Sequence, residues 1–349
     1  MVELCNPSQL VLRHRQLLCV PRLLLALPPA DGLTLELSHA LANSCLHVFT
    51  TQAEVSDLCG RYLAPQRVLY AHRPSVIAPP SLYSTIVVFL QKSRPFMEEM
   101  LLQLCPLLEE GGSIFVVGEN RAGIKSWRKK LAAFGTVETV ANACHGSLIR
   151  LSPVHQLWSR RPPSPPLTLT VQCADTAVSV ASSVGVFGHG RLDRGTRLLL
   201  ETLADEQVSC KVLDFGCGAG VIGCWLAARN RLCHPTLLDS DAVAVAMARQ
   251  SLALNGLAGE VVASHGMAEL KGRYQWVVSN PPFHEGVKTR YDVTEQFLLN
   301  SHRYLAPGGQ LRIVANSFLR YRPLIEQAFG HCQALARQDG FTVYGASRR

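Results

Sequence analysis

Short apolar runs alternate with segments of helical periodicity through the C-terminal half of the chain. Each run is followed by a turn, which is typical of buried strands. The predicted strands are Cys210–Asp214, Pro235–Asp239, Glu260–Ala263, Tyr274–Ser279 and Leu311–Ala315. Helices are predicted over Val221–Ala228 and from an N-cap at Ser240 or Asp241 to Asn255-Gly256. This alternation predicts a parallel, doubly wound α/β sheet, which binds ligands outside the carboxyl ends of its strands.

The N-terminal half repeats part of this pattern. Pro106–Asn120 and Leu305–Asn316 each contain a Gly-Gly turn followed by a buried strand, at a separation of about 196 residues. The preceding apolar runs, Thr85–Leu90 and Tyr274–Ser279, also correspond. Two elements repeated in the same order favour a duplication, so we predict two tandem Rossmann-like α/β domains.

A proline-rich segment separates the two halves. Four of the five residues from Pro162 to Pro166 are proline, which excludes a helix and favours a stiff, extended linker. We therefore predict an N-terminal domain over residues 1–159, a linker over 160–167 and a second domain over 168–349.

Composition narrows the class of protein. Apolar residues make up 48% of the 349 residues, which excludes a disordered chain, and the net charge of +8 suits a polyanionic partner. The twelve cysteines form no Cys-x-x-Cys pair, so we expect free thiols and no metal site. The apolar run Leu17–Leu27 is interrupted by Pro21 and is too short to span a bilayer. We expect a soluble, cytoplasmic monomer that does not bind membranes.

A glycine-rich turn follows the first strand of the C-terminal half. Asp214 precedes Gly216, Gly218 and Gly220, and the glycines let the backbone turn tightly against a ligand. A second acid, Asp239, ends the next strand 25 residues later, where it is placed to bind ribose hydroxyls. No Gly-Lys-Ser/Thr is present, which excludes a P-loop, although dinucleotide-binding enzymes carry a similar glycine pattern.

A second polar corner ends the fourth predicted strand. In Asn280-Pro281-Pro282-Phe283 the prolines fix the backbone and remove its donors. The amide oxygen of Asn280 and the carbonyl of Pro281 can then accept from one planar amino group, and Phe283 can stack on a base. This corner predicts a site for a nucleobase that carries an exocyclic amine.

Together the two motifs resemble class I S-adenosylmethionine-dependent methyltransferases that act on amino groups. Gly185–Phe187, Gly190–Leu200, Leu311–Tyr321 and Val117–Ser126 further resemble the bacterial ribosomal RNA small-subunit guanine-N2 methyltransferases. That resemblance implies transfer of a methyl group from S-adenosylmethionine to N2 of guanine 1207 in 16S ribosomal RNA. It also implies that the N-terminal domain is a degenerate copy of the methyltransferase fold.

The resemblance and the motif positions give three sets of candidate residues. The catalytic candidates are Asn280, Pro281 and Phe283. The cofactor-binding candidates are Asp214, Gly216, Gly218, Gly220, Asp239, Gly266, Met267 and Asn280. The substrate-binding candidates are Phe187, Asp193, Gly195, Pro282, His284 and Asn316.

The N-terminal half lacks both motifs, so we expect it not to catalyse. Its strand Val87–Leu90 continues into Gln91-Lys92 instead of a proline corner, and no Gly-x-Gly turn follows a strand. We expect it to support the second domain or bind RNA. The candidate RNA contacts are Arg121, Lys125, Arg128, Lys129 and Lys130, although such a run also occurs on solvated helix faces.

Five other functions remain open from the sequence. A methyltransferase for guanine N2 in 23S ribosomal RNA has the same motifs. DNA adenine methyltransferases and the glutamine methyltransferases of release factors also use Asn-Pro-Pro-aromatic, although Phe283 and the duplicated first half argue against both. A non-catalytic RNA-binding assembly protein is disfavoured by the intact motifs, and a nicotinamide oxidoreductase by the lack of a catalytic acid constellation.

Overall fold

Two seven-stranded sheets, each with helices packed on it, form the framework of the described part of the chain. The computed structural model describes residues 3–74, 82–281 and 288–349. The chain divides into unit 1, Met1–Pro165, and unit 2, Pro166–Arg349, and the division lies within the proline-rich segment. Of that segment, Ser164 donates its backbone N–H to the buried carboxylate of Glu99 at 3.0 Å.

Unit 1 contains seven strands and six helices in its described part. The strands are β1 Arg22–Ala26, β2 Cys45–Thr50, β3 Val68–Tyr70, β4 Tyr83–Phe89, β5 Leu108–Glu119, β6 Gly135–Ala143 and β7 Gly146–Pro153. The helices are α1 Asn6–Arg13, α2 Leu33–Ala40, α3 Ala53–Cys59, α4 Arg94–Leu104, α5 Ile124–Leu131 and α6 His155–Trp158.

Unit 2 begins with a separate hairpin and then forms its own sheet. The strands are β8 Leu167–Cys173, β9 Thr176–Ser182, β10 Lys211–Phe215, β11 His234–Asp239, β12 Glu260–Ala263, β13 Tyr274–Ser279, β14 Leu305–Asn316, β15 Gln333–Gln338 and β16 Phe341–Ser347. The helices are α7 Arg194–Leu203, α8 Val221–Arg229, α9 Ala242–Leu254, α10 Lys288–Tyr304 and α11 Tyr321–Phe329.

The two sheets have the same strand order. It is β3-β2-β1-β4-β5-β7-β6 in unit 1 and β12-β11-β10-β13-β14-β16-β15 in unit 2. Each unit has a register irregularity at the start of its fourth sheet strand, between Tyr83 and Thr85 and between Tyr274 and Trp276. The predicted tandem α/β domains are therefore confirmed.

The five predicted strands of unit 2 pair in parallel, whereas two further strands that the pattern did not predict, β15 and β16, make the complete sheet mixed. β16 runs antiparallel to both β14 and β15. β15 and β16 are antiparallel because a two-residue turn, Asp339-Gly340, joins them. Both of its residues have positive φ, 49° and 81°. Asp-Gly is a strong hairpin sequence because this turn type needs φ above zero at both positions.

Side chains in and directly after α9 attach the β8–β9 hairpin to the rest of unit 2. The amide of Asn255 accepts from the Ser179 N–H at 2.9 Å and donates to the Ser179 carbonyl at 2.7 Å. Two residues along β9, the N–H of Ala181 donates to the hydroxyl of Ser251 at 3.0 Å. The hairpin leads directly into the loop between β9 and α7, so these contacts fix where that loop begins.

Candidate active site

The strand order of unit 2 reverses between β10 and β13. β10 is followed along the chain by β11 on one side, whereas β13 and β14 lie on its other side. Ligands of open α/β sheets bind at such a switch point, outside the carboxyl ends of the strands. Asp214 pairs with Val278 across these two strands, so Asp214 and Asn280 both lie at this crevice.

The turn after β10 has the backbone that its glycines predict. Gly216, Gly218 and Gly220 have φ of 67°, 55° and 81°, a region that other residues rarely adopt. Gly220 is the N-cap of α8. A Cβ added at Gly218 would meet no atom within 4 Å, so the turn faces open space at this point.

Asp214 carries a carboxylate buried with only one hydrogen-bonding oxygen. Its Oδ2 accepts from the Gly223 N–H at 3.0 Å, whereas Oδ1 is buried with no partner. The pKa of Asp214 is raised to about 7, mainly by burial, with an opposing effect from the Gly223 N–H and a smaller upward effect from the negative charge of Asp239. A buried carboxyl oxygen without a partner is costly, so this atom is suited to a donor on a ligand.

Asp239 links the glycine turn to the end of β11. Its Oδ2 accepts from the Gly218 N–H and its Oδ1 from the Asp241 N–H, both at 2.9 Å. An ionised carboxylate has about four acceptor positions, so one that accepts from backbone N–H groups can also accept from hydroxyl groups. Asp241 also caps α9, because its Oδ1 accepts from the Val243 N–H at 2.8 Å.

The loop after β12 lies at the same edge of the sheet. Ser264 donates its N–H to the Asp239 carbonyl at 3.0 Å, which ties the start of this loop to β11. Gly266 has φ of 83° and open space where a Cβ would be. Met267 is half-buried against the core of unit 2.

Asn280 is the centre of a hydrogen-bonded cluster that local sequence did not indicate. Its Nδ2 donates to Asp193 Oδ2 at 3.0 Å and to Thr196 Oγ1 at 2.8 Å. The Oδ1 of the same amide is buried with no partner. Asp193 is the N-cap of α7, since its Oδ2 also accepts from the Thr196 N–H at 2.9 Å.

The remaining substrate-binding candidates have varied environments. Gly195 is buried, and a Cβ there would lie 2.9 Å from the Phe341 ring, which gives this glycine a packing role. Phe187 is 57% exposed in the loop before α7, and Asn316 is half-buried at the end of β14. Pro281 is buried next to Asn280. Pro282, Phe283 and His284 lie outside the described residues.

Two residues of this edge were missed by the sequence reasoning. Thr196 lies three positions after the N-cap Asp193, a spacing that could have drawn attention to its backbone N–H but not to its contact with Asn280. Phe318 follows β14 at the same edge and is 66% exposed. The sequence feature that could have indicated Phe318 is a large aromatic residue shortly after a buried strand.

Unit 1 has apolar residues at the corresponding strand positions. The strand ladders match Leu23 and Thr85 with Val212 and Trp276, so Leu25 occupies the position of Asp214. By the same ladders Phe89 occupies the position of Asn280. Leu25 and Phe89 are both buried, and unit 1 therefore lacks the two polar side chains that define the crevice in unit 2.

In the part of the chain that the structure describes, no three His, Cys, Asp or Glu side chains lie together as metal ligands would. Among the same residues, no helix combines the length and apolarity needed to cross a bilayer.

Comparison with known proteins identifies the family. Residues 177–345 match the Methyltransferase small domain, and residues 8–158 match its N-terminal counterpart. The chain is 43% identical over 351 residues to "Ribosomal RNA small subunit methyltransferase C" of Pseudomonas paraeruginosa, covering 98% of both chains. The chain belongs to the ribosomal RNA small subunit methyltransferase C family. The resemblance stated from the motifs is thereby confirmed.

Further members of the small subunit methyltransferase C family have the same full-length match. The Pseudomonas entomophila protein is 40% identical and covers 98% of this chain. A Thermus thermophilus structure described as "16S rRNA N2 G1207 methyltransferase (RsmC) in complex with AdoMet and Guanosine" superposes with a TM-score of 0.81 at 22% identity. It covers 95% of this chain and 89% of its own, and shows that the fold is shared.

Proposed function

We propose that the chain transfers a methyl group from S-adenosylmethionine to the exocyclic N2 of a guanine in 16S ribosomal RNA, guanine 1207. The observation that carries the proposal is the buried, unpartnered Oδ1 of Asn280 beside the glycine turn at the switch point. Membership of a family whose curated members are named as small subunit methyltransferases supports the choice of RNA.

The residues around the turn after β10 fit the proposed cofactor. Asp214 Oδ1 lacks a donor, and space is open beside Gly218 and Gly266. Asp214 and the glycines would hold the methionine portion, Asp239 the ribose hydroxyls, and Gly266 with Met267 the adenine. When bound, S-adenosylmethionine supplies a methyl group already activated by a sulfonium.

Positioning of the amine is the main task left to the chain. The N2 lone pair of guanine is delocalised into the ring, so the amine is a poor nucleophile. The Asn280 Oδ1 and the Pro281 carbonyl accept from the amine and orient its nitrogen. Holding reactants in line in this way contributes roughly 7–11 kcal/mol in favourable cases.

The bond changes require no nucleophile from the protein. The N2–methyl bond forms as the sulfur–methyl bond breaks, its electron pair stays on sulfur, and an N–H proton then leaves to water.

Cys217 is the thiol in the glycine turn, and burial, with the charges of Asp239 and Asp214, raises its pKa well above the usual value. It is therefore a neutral packing residue at physiological pH.

The target base has to leave its stack to reach the crevice. Extrusion costs a few kcal/mol, and least for an unpaired base. Phe283 would stack on the extruded guanine, while Pro282, His284, Phe187 and Asn316 would contact the nucleotide or its neighbours. Asp193 and Gly195 shape the crevice from α7.

Unit 1 offers a basic helix face for the RNA backbone. Of the five predicted contacts, Arg121 pairs with Glu119, and Lys130 pairs with Glu98 at 2.5 Å. Lys125, Arg128 and Lys129 remain, and all three are exposed on α5. Positive charges presented together on one helix favour phosphate contacts, which position RNA without reading its sequence. A ribosomal RNA substrate implies that the enzyme acts in the cytoplasm.

Methyl transfer to defined acceptors tests the proposal. Labelled S-adenosylmethionine is supplied with isolated small subunits, large subunits, free 16S and 23S RNA, or DNA, using the wild type and Asn280→Ala. We expect label on N2 of one 16S guanine, lost in Asn280→Ala and retained in Asn300→Ala. Asn300 is a matched control because the hydrogen bonds that the structure describes for its amide lie within α10.

The other outcomes are equally informative. Label confined to large-subunit RNA would retain the reaction and move the target. Cofactor binding by calorimetry without transfer to any acceptor would contradict the proposed function. Full activity of Asn280→Ala would exclude the proposed role of the corner after β13.

A further inference from the structure

We propose that Asp193 and Thr196 are positioning residues that fix the side-chain amide of Asn280 so that only its oxygen faces the substrate. The inference rests on the proposed function and deepens it. The orientation of the Asn280 amide explains why the crevice accepts an amine. Asp193 acts by holding Asn280 and not by direct contact with RNA.

The hydrogen bonds of Asn280 determine which way its amide points. An amide nitrogen has two hydrogens, and here both have acceptors, Asp193 Oδ2 at 3.0 Å and Thr196 Oγ1 at 2.8 Å. The Oδ1 is buried without a partner. Rotating the amide by half a turn would place an oxygen against the Asp193 carboxylate and lose that bond, so the carboxylate favours the observed orientation. The Thr196 hydroxyl, which can donate or accept, then accepts from the second amide hydrogen.

The two acceptors are themselves held in place by α7. Asp193 Oδ2 accepts from the Thr196 N–H, which is one of the helix N-terminal donors that need a partner. At position 195 a Cβ would lie 3.0 Å from that same oxygen, so glycine allows the carboxylate to approach. The helix end, not a loop, therefore sets the position of the acceptors.

The opposite end of α7 is anchored to the sheet. Arg312 on β14 donates to the Thr202 carbonyl at 2.6 Å and to Glu206 at 2.7 Å, and its guanidinium lies over the Trp276 ring. Arg312 is almost fully buried. Because both ends of the helix are attached, the Asp193 carboxylate has little freedom to move away from Asn280.

The chemical consequence is selectivity for a donor. With both amide hydrogens occupied, Asn280 presents only an acceptor, and the adjacent carboxylate polarises the amide so that its oxygen becomes more negative. A group with N–H bonds is accepted, whereas a carbonyl or a ring nitrogen lone pair would face the Oδ1 without a hydrogen. The crevice is thus matched to an exocyclic amine.

Steady-state methyl transfer on the acceptor identified above tests this arrangement. Thr196→Val removes one acceptor at nearly constant size, and we expect kcat to fall about tenfold, the value of one neutral hydrogen bond. Thr196→Ser retains the hydroxyl and should restore most of the rate. Thr202→Val is the matched control, because that hydroxyl bonds within α7 to Leu199.

Asp193 is tested without removing the helix cap. Asp193→Ser keeps a capping oxygen but is too short to reach Asn280, and we expect kcat to fall about 10–100-fold, as for a bond to a charged group. Affinity for S-adenosylmethionine, measured by calorimetry, should stay within about twofold of the wild type. A purely structural role would instead lower cofactor affinity and rate together.

A reciprocal exchange provides the decisive rescue. Asn280→Asp alone places two carboxylates together with no donor between them and should be slow, whereas Asp193→Asn alone keeps an oxygen that can accept from Asn280 and should lose less. In the double variant the helix amide donates to the strand carboxylate, and kcat should recover at least tenfold over Asn280→Asp. No recovery, or wild-type rates in Thr196→Val, would overturn the inference. A wild type that methylates nothing would overturn the proposed function instead.

Discussion

The buried carboxylate of Asp214 makes the stability of unit 2 depend on pH. The folded state raises the pKa of this group from 3.8 to about 7, first through burial. The folded state therefore binds the proton more tightly than the unfolded state. The contribution of this group to stability is fully present below pH 3.8, falls between pH 3.8 and about 7 because the unfolded chain ionises first, and is lost above that range.

The size of the effect follows from the two pKa values. The proton affinities differ roughly 1000-fold, which corresponds to about 4 kcal/mol in total. Roughly 2–3 kcal/mol of that loss lies between pH 5 and pH 8, as an order of magnitude. Asp214→Asn removes the titrating group, so its unfolding free energy should lack this fall, whatever constant penalty the new amide introduces.

Native-state hydrogen exchange of the β10 amides measures this difference, because it reports the free energy of opening unit 2. The wild type, Asp214→Asn and Asp205→Asn are compared at pH 5 and pH 8. Asp205 is an exposed carboxylate in the same unit, and its replacement should leave the wild-type profile unchanged. Equal pH dependence in the wild type and Asp214→Asn would refute the reasoning from burial.

Three further predictions concern ligand contacts. Gly218→Ala places a side chain where φ is 55°, and we expect about 1 kcal/mol of strain and weaker S-adenosylmethionine binding by calorimetry. Phe318→Ala should raise the KM for the RNA acceptor severalfold through lost stacking, and the equally exposed Leu232→Ala should not. Arg128→Ala should weaken RNA binding and lower its salt dependence by about one phosphate contact, whereas Arg61→Ala should do neither.

Features that depend on neighbouring residues could be predicted from the sequence. The cap at Asp241 and the glycine turn after β10 follow from local backbone requirements, and the structure has both. The acid at position 239 is equally local, because it ends a short apolar run. Its bond to the Gly218 N–H completes the turn.

The contacts that join distant residues could not be predicted in this way. Asn280 and Asp193 are 87 positions apart, and only the packing of α7 on the sheet brings them together. Residue propensities and sequence spacing do not predict contacts between residues so far apart along the chain. The antiparallel pairing of β15 and β16 could have been predicted, because Asp339-Gly340 is a local hairpin sequence. The alternation of strands and helices, on which the fold prediction rests, does not include it.

The bond pattern of Asn255 has a consequence for solubility. The outer side of a two-stranded hairpin offers free N–H and carbonyl groups to any other extended chain, which is a common origin of aggregation. In β9 the amide of Asn255 occupies both groups of Ser179, as a neighbouring strand would, and Ser251 occupies the N–H of Ala181. Two side chains, in and directly after α9, thus protect an edge strand from intermolecular pairing.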